Sequence, residues 1–351
     1  MKRERDENLD RLSDLPDCLL LHVLSFLPSK HAVQTSILSP RWNSLWKRIP
    51  TLKLNSLIFR HLKDFTKFVT HILSLRDAST ALHTLSFHRH GLIEPHLLKR
   101  VINYGISHNV QQLYIYVKCE IQHFPPSLFS CRTLTSLRLA VVHPKIYAMR
   151  TLFPNSLNLP SLTELCLHAF AFRVGDDGRA EPFSALHKLN TLIIDKCEVQ
   201  NLCILSTSLV RLTIVTRDYP PDDCGEIELC TPNLGIFTFI GSPFHKLYGS
   251  KSNLSSIEHI DIDLSLMSNS AEYSLFLLNW LIALVNVKSM TVSSPTLQVL
   301  SLVPDLFKVH LSSLCNLKTL KVKKKQSSSI PDLVVEFLLQ NSLSTKVEII
   351  D

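Results

Sequence analysis

Glycine is scarce in this chain of 351 residues, which has eight glycines against eighteen prolines. Loops that cradle phosphate groups need several glycines at fixed positions, and average proteins contain about 7% glycine. Neither a G-x-G-x-x-G nor a G-x-x-x-x-G-K-[ST] pattern occurs. The composition therefore argues against the glycine-rich nucleotide-binding sites.

Paired cysteines and long apolar runs are also missing. The nine cysteines are scattered and form no C-x-x-C pair, which predicts reduced, buried thiols and neither disulfides nor zinc. The apolar stretch 273–287 is interrupted by Asn279 and is too short to span a bilayer. Because the charged N-terminal segment does not have the pattern of a signal peptide, we expect a cytoplasmic or nuclear chain, or one found in both, without a membrane partner.

Catalytic motifs are the third absence. The sequence contains no H-E-x-x-H and no G-x-S-x-G, so zinc-protease and α/β-hydrolase chemistry lack their characteristic residues. Sixteen histidines are present, but the pair His88 and His90 has no carboxylate or cysteine at ligand spacing nearby. We therefore predict no catalytic residue, no metal ligand and no cofactor.

The charge of the chain is a weak guide to its partners. A formal charge of +7 favours acidic surfaces only slightly. The strongest basic cluster is Lys321–Lys325, where Val322 alternates with lysines as on the wet face of a strand. No aromatic residues are interleaved, so a nucleic-acid surface is not indicated. A site for phosphate or an acidic tail at these lysines stays open.

Prolines and serines divide residues 12–50 into three predicted helices. The first begins at Pro16 and ends before Pro28, the second covers 31–38 after a Ser29 cap, and the third begins at Pro40 after a Ser39 cap. The first is apolar on nearly every side, so it must be buried on nearly every side. About 40 residues cannot bury it alone, so the rest of the chain, a partner, or both must cover it.

The residues Leu12–Pro28 and Ala32–Trp46 resemble an F-box of the large plant F-box/leucine-rich-repeat group (F-box/LRR, FBD-like), over the whole motif and without a gap. The resemblance implies an F-box domain at residues 8–50 that docks on a Skp-type adaptor and, through it, on a cullin. Pro40 replaces a residue that is more often basic in that family, which puts one charged contact in doubt. By position, the implied adaptor-binding residues are Leu15, Pro16, Leu20, Leu24, Ile37, Leu38 and Trp42. For Trp42 and Trp46, closing the internal core is an equally good interpretation.

A repeated L-x-x-L-x-L pattern occupies the rest of the chain, at spacings of 20 to 30 residues. The residues between the first two apolar positions are mostly polar, as a strand with one buried face requires. Each unit predicts a strand followed by a return segment, and stacked units form one parallel sheet. The pattern starts at residues 82, 110, 134, 162, 189, 209, 234, 257, 287 and 317.

The fold class predicted is therefore α/β: a three-helix F-box joined directly to a leucine-rich-repeat solenoid over 51–351. Residues 49–54 provide an additional first strand, and 59–75 and 273–287 are predicted helical returns. A further match at 297–302 follows its predecessor too closely for a new strand and is predicted to be helical. From about residue 326 we expect a C-terminal cap, which contains a helix over 332–340 and a strand over 346–350.

The expected function is that of a non-catalytic substrate-recognition subunit in an SCF-type (Skp–cullin–F-box) ubiquitin ligase, with proximity as its contribution to the reaction. The alternative is an F-box scaffold or interaction protein without a ligase role. A receptor gated by a small molecule and an enzyme on a repeat frame are less favoured, because the units are few and irregular and catalytic motifs are absent. Contacts to an unidentified target protein are predicted at Gln112, Tyr114, Arg138, Glu164, Asp195, Arg211, Asp261 and Lys321.

Overall fold

The computed structural model has two compact units, Met1–Leu134 and Thr135–Asp351. The F-box segment shares the first unit with the earliest repeat strands, and the domain boundary predicted at residue 50 stays a prediction. The structure describes residues 12, 15–143, 150–176, 178–216, 225–249, 254–264, 271–311, 314–325, 328–342 and 344–350.

The first unit begins with short helical segments. Two are α-helices, α1 (Asp17–Ser25) and α2 (Ser29–Gln34). They are followed by 3₁₀ segments at Thr35–Ile37, Pro40–Asn43 and Leu45–Arg48. The segments between the prolines are thus helical, as predicted, but each is short.

The third predicted helix was wrong in type. Instead of one α-helix after Pro40, two 3₁₀ segments meet at Ser44, which has φ −110° and ψ −10°. Asn43 and Ser44 favour turns because their side chains compete for backbone hydrogen bonds. The predicted caps were wrong as well, since neither Ser29 nor Ser39 makes a side-chain capping bond. Ser29 Oγ accepts a hydrogen bond from the Lys53 backbone N–H at 2.8 Å.

Three parallel strands follow in the first unit: β1 (Thr51–Asn55), β2 (Thr84–Leu92) and β3 (Gln112–Lys118). Helices α3 (Leu62–Leu75) and α4 (Pro95–Ser107) connect them. Helix α3 was predicted and α4 was not, although its buried residues follow helical spacing. Further 3₁₀ segments lie at Ser56–Ile58, Ile121–His123 and Pro126–Ser130.

The second unit is built mainly from short parallel strands. Among its described residues, the helices with full bounds are α5 (Ala271–Ala283), α6 (Ser294–Leu300) and α7 (Asp332–Leu339), with a 3₁₀ segment at Leu306–Lys308. Its strands are β4 (Ser136–Val142), β5 (Thr151–Leu152), β6 (Glu164–His168), β7 (Phe170–Ala171), β8 (Thr191–Asp195), β9 (Leu202–Leu205), β10 (Arg211–Val215), β11 (Glu226–Cys230), β12 (Ile236–Gly241), β13 (Lys246–Tyr248), β14 (His259–Leu264), β15 (Ser289–Ser293), β16 (Thr319–Lys323) and β17 (Lys346–Ile350).

The main sheet of the second unit runs through β4, β6, β8, β10, β12, β14, β15, β16 and β17 in that order. Every neighbouring pair in it is parallel. Residues at equivalent repeat positions stand opposite each other, as Leu192 does to Leu212. Leu192 and Ile194 are fully buried, so the second and third apolar positions of the repeat build the core.

Every L-x-x-L-x-L unit of the prediction is confirmed as a strand, and so are residues 51–55 and 346–350. The match at 297–302 is helical through α6, as predicted. Short strands on the return segments were not predicted. Of these, β9, β11 and β13 form a parallel three-stranded sheet, and β5 pairs with β7.

We expect Phe239→Ala to lower the free energy of unfolding by about 3–5 kcal/mol, because it empties a core position. Phe239 is fully buried, and its ring packs edge-on against Trp280 with the ring centroids 4.6 Å apart. The matched control is Thr238→Ala on the opposite face of β12, which should change stability by less than about 1 kcal/mol. Urea unfolding followed by circular dichroism measures both, and equal losses would contradict the inside–outside assignment.

Candidate docking surface on the N-terminal helices

Helix α1 divides its apolar residues between two faces. Leu20 and Leu24 are 0% and 1% exposed, whereas Leu19, Val23 and Phe26 are 48%, 46% and 65% exposed. The spacing of four and then three residues places the exposed side chains along one side of the helix. The buried side packs on the 3₁₀ segment Leu45–Arg48, so the outer side is open to a partner.

A second exposed apolar group follows α2. Ile37 is 86% exposed and Leu38 is 63% exposed, and Leu12 before α1 is 56% exposed. Large apolar side chains at such exposure leave burial energy unused, about 1.5–3 kcal/mol for each one that a partner encloses. We call the following six residues the docking surface: Leu12, Leu19, Val23, Phe26, Ile37 and Leu38.

Asp17 joins the parts of the chain that carry this surface. Its carboxylate accepts hydrogen bonds from Arg48 at 2.7 Å and from Arg41 at 2.9 Å. Arg41 also donates to the carbonyl oxygen of Leu15. The segment that follows Leu38 is thereby held against the start of α1. Hydrogen bonds from Arg48 and then Arg41 lower the pKa of Asp17 below its ordinary value.

The rear of the helices is fixed to the first repeat. Lys30 Nζ donates to the carbonyl of Ile58 at 2.8 Å and lies 4.5 Å from the centroid of the Phe59 ring. Arg76, the residue after α3, is buried and donates to the carbonyl of Ile49 at 2.7 Å. These bonds connect the helices with the first repeat of the same unit, and the start of the solenoid directly after them stays a prediction.

The predicted adaptor-binding residues fall into two groups. Pro16, Ile37 and Leu38 are exposed, and Leu15 is half-buried. Leu20, Leu24 and Trp42 are at most 5% exposed, so they offer no surface to a partner. Their assignment to direct contact is revised for that reason: they form the internal core beneath the docking surface. Trp46 is buried as well, so both tryptophans take the internal role.

Leu19, Val23 and Phe26 were not among the adaptor-binding residues predicted from the sequence. Leu20, Leu24 and Leu27 form a second stripe with the same spacing, one residue further along the chain. A helix that is apolar on both faces does not reveal from spacing alone which stripe is buried. The surplus of apolar residues in this helix indicated that one apolar face is left exposed, but not which residues form it.

The predicted target-binding residues lie on the non-core face of their strands. In the first unit, Gln112 Oε1 on β3 accepts hydrogen bonds from Thr84 at 3.1 Å and from Tyr114 at 3.2 Å. In the second unit the corresponding positions are Arg138, Glu164, Asp195, Arg211, Asp261 and Lys321, all at half-buried or exposed positions. Each set therefore lies where a partner has access to it.

Charges on this face of the second unit pair across neighbouring strands. Arg138 contacts Glu164 at 2.5 Å, and His168 contacts Asp195 at 2.6 Å. The basic cluster is paired as well, but Lys323 on β16 is held at 2.8 Å by Asp261 on β14, two strands away. Lys325 and Lys321 are bound by Asp263 and Glu348, respectively. This pairing supports a wet strand face at Lys321–Lys325 and weakens the phosphate-site alternative.

None of the helices in the described part of the chain combines the length and the apolar character that crossing a bilayer requires.

Leu20→Ala should lower the free energy of unfolding by about 2–5 kcal/mol, because it leaves a cavity beneath α1. Leu19→Ala on the next residue should change it by no more than about 0.5 kcal/mol, because that side chain is already in water. Urea denaturation followed by circular dichroism compares the two. Similar losses from both variants would show that the buried and exposed stripes are assigned wrongly.

We expect Asp17→Asn to lower the thermal unfolding midpoint modestly at neutral pH. The folded pKa of Asp17 lies below its ordinary 3.8, so its ion pairs stabilise the fold above that pH. This contribution disappears as the pH falls through the lower, folded pKa. The gap between wild type and variant should therefore narrow in acid below pH 3.8. A gap that widens there would exclude this role of the carboxylate.

Comparison with known proteins gives matches to both parts of the chain. An F-box domain model matches residues 12–54. A putative F-box/FBD/LRR-repeat protein of Arabidopsis thaliana is 32% identical over 67% of this chain and 54% of its own length. An F-box/LRR-repeat protein of that plant is 29% identical over 83% of this chain and 64% of its own length.

A further Arabidopsis thaliana relative, F-box/LRR-repeat protein 13, is 28% identical over 86% of this chain and 68% of its own length. The chain thus spans less than two thirds of the length of the first two relatives. Because the F-box match, the parallel repeat sheet and the similarity over most of the chain agree, the chain belongs to the plant F-box/leucine-rich-repeat proteins.

Proposed function

We propose that this chain is the substrate-recognition subunit of an SCF-type ubiquitin ligase. F-box domains in general bind Skp-type adaptors. The observation that carries the proposal is the docking surface, where six large apolar side chains of the F-box segment are 46–86% exposed. In this proposal the adaptor covers these side chains and links the chain to a cullin.

The docking surface leaves favourable burial free energy unused as long as it stays in water. Monomeric proteins rarely expose extended apolar patches unless a partner covers them. Ile37 at 86% and Phe26 at 65% are the most exposed of the six side chains. Aromatic and branched side chains of this size make effective anchors when a partner encloses them. The surface therefore suits an apolar protein partner better than a polyanion.

The proposed contact residues differ from those expected by family position alone. Leu15, Pro16, Ile37 and Leu38 keep their place, and the exposed stripe of α1 joins them. Leu20, Leu24 and Trp42 contribute indirectly, because they fill the core that holds the outer stripe in position.

The repeat strands are the proposed target-binding part. Their non-core faces carry both acidic and basic side chains, among them Glu164, Asp195 and Lys321. A complementary charge pattern on a target would be recognised through steering and register more than through raw affinity. The chain would supply no reacting group and would act by holding the target near the activated ubiquitin. We place this role in the cytoplasm, the nucleus or both, where thiols stay reduced.

We expect the double variant Ile37→Asp with Leu38→Asp to lose co-purification with a Skp-type adaptor while its thermal unfolding is unchanged. Both side chains are exposed, so the charges disturb the interface and not the core. The matched control is Leu57→Asp, because Leu57 is 63% exposed in the same unit but outside the F-box helices. Adaptor binding that survives the double variant would refute the docking assignment.

Reconstitution tests the ligase role separately. Adaptor, cullin, RING subunit and this chain would be combined with ubiquitin and its upstream enzymes. Ubiquitination of a co-purified target, or of the chain itself, that is lost in the Ile37→Asp and Leu38→Asp variant supports the proposal. Adaptor binding without any ubiquitination would favour the scaffold alternative.

A further inference from the structure

Two cysteines and a glutamate meet on the outer side of the three-stranded return sheet. Cys203 on β9 stands opposite Glu228 on β11, and Cys230 lies two residues further along the same strand. Residues two apart in a strand project from the same face. The two Sγ atoms and a Glu228 carboxylate oxygen all lie within 4.8 Å of one another. Three side chains with metal-ligand chemistry therefore converge at one point.

The surroundings favour a cation at this point. Cys203 is buried, and the Glu228 side chain is 18% exposed. Glu228 Oε2 is a buried atom that accepts no hydrogen bond from the described residues, although Arg179 lies 3.0 Å away as an ion-pair partner. Arg179 already compensates this buried carboxylate, so a metal ion at Glu228 would share or replace that ion pair.

The thiol of Cys203 is held in its protonated form. Burial, followed by the neighbouring Cys230 and Glu228, raises the pKa of Cys203 to about 12. A divalent cation that binds both sulfur atoms would therefore displace their protons to solvent.

We propose that Cys203, Cys230 and Glu228 form a binding site for a divalent transition-metal ion of the zinc type. Two thiolates and one carboxylate supply three of the four ligands that zinc prefers, and a water molecule completes the tetrahedron. Zinc–ligand bond lengths place tetrahedral ligands about 3.6–3.8 Å apart. Side-chain rotations that move the donors by about 1 Å therefore suffice to close the site.

The site would be structural and independent of the proposed ligase role. Strands β9 and β11 belong to successive returns of the solenoid, where helices like those of the first unit are replaced by short strands. A metal ion would join these two returns and stabilise them against fraying. The cysteines are 27 residues apart in the sequence, so no local C-x-x-C pattern indicates the site.

The test uses the full purified chain, stripped of metal with a chelator and kept reduced with a phosphine. Titration with Co²⁺ should give one bound equivalent and a thiolate-to-cobalt charge-transfer band, which one equivalent of Zn²⁺ removes. Zn²⁺ should also raise the thermal unfolding midpoint, as any ligand of the folded state does. No binding, or binding without the thiolate band, would overturn the proposal.

Variants identify the ligands. Cys203→Ser and Cys230→Ser should each weaken Zn²⁺ binding by more than about 100-fold, since even residues that only support a ligand cost 10- to 100-fold. The matched control is Cys315→Ser at an exposed cysteine, which should leave affinity unchanged. Unchanged affinity in both site variants would refute the assignment.

Two more variants keep the test decisive if a serine variant does not fold. Glu228→Gln should weaken Zn²⁺ binding while the thiolate band of Co²⁺ remains. Arg179→Gln should retain or strengthen binding, because it removes the cation that competes for Glu228. A loss of binding in Arg179→Gln together with full binding in Glu228→Gln would exclude the carboxylate as a ligand.

Discussion

The burial of Leu20 and Leu24 beneath α1 is the interaction on which the N-terminal surface depends. These two side chains settle the rotation of the helix about its axis, and with it the outward position of Leu19, Val23 and Phe26. The buried tryptophans Trp42 and Trp46, on the 3₁₀ segments, belong to the same core. A more conventional amphipathic helix would have no second apolar stripe to offer.

Asp17 adds a polar constraint to this apolar one. A single carboxylate receives two arginines, Arg41 and Arg48, from different 3₁₀ segments. Exposed ion pairs contribute little stability one at a time, but this shared pair fixes geometry across a gap of more than twenty residues in the chain. The segment that follows Ile37 and Leu38 thus keeps its position relative to α1. Arg41, next to Pro40, is used inside this segment, where it binds Asp17 and the carbonyl of Leu15.

The repeat strands have two different faces. The core-facing positions are apolar in every unit, whereas the opposite positions differ in polarity and charge from strand to strand. Leucines and isoleucines such as Leu192 and Ile194 fill the core at fixed positions of each unit. The opposite face holds acids and bases that pair with the next strand or the one after it, as Asp261 does with Lys323. A target protein that binds this face would have to compete with these internal ion pairs. Its selection would therefore depend on the pattern of its charges and not on its net charge. The return segments vary most, and the proposed metal site lies there because parallel returns bring distant residues side by side.

The sequence by itself determined the repeat strands, because three apolar positions recur every 20 to 30 residues with mostly polar residues between the first two, whereas the closer match at 297–302 is helical. It also determined that residues 12–50 are helical and carry more apolar surface than they bury alone. The tertiary structure decided which stripe of α1 is buried, since Leu19 and Leu20 begin stripes of identical spacing and only packing distinguishes them. It also decided that the returns pair as β9, β11 and β13, and that Cys203 meets Cys230. Those outcomes depend on contacts between residues far apart in the chain, and local periodicity contains no information about such contacts.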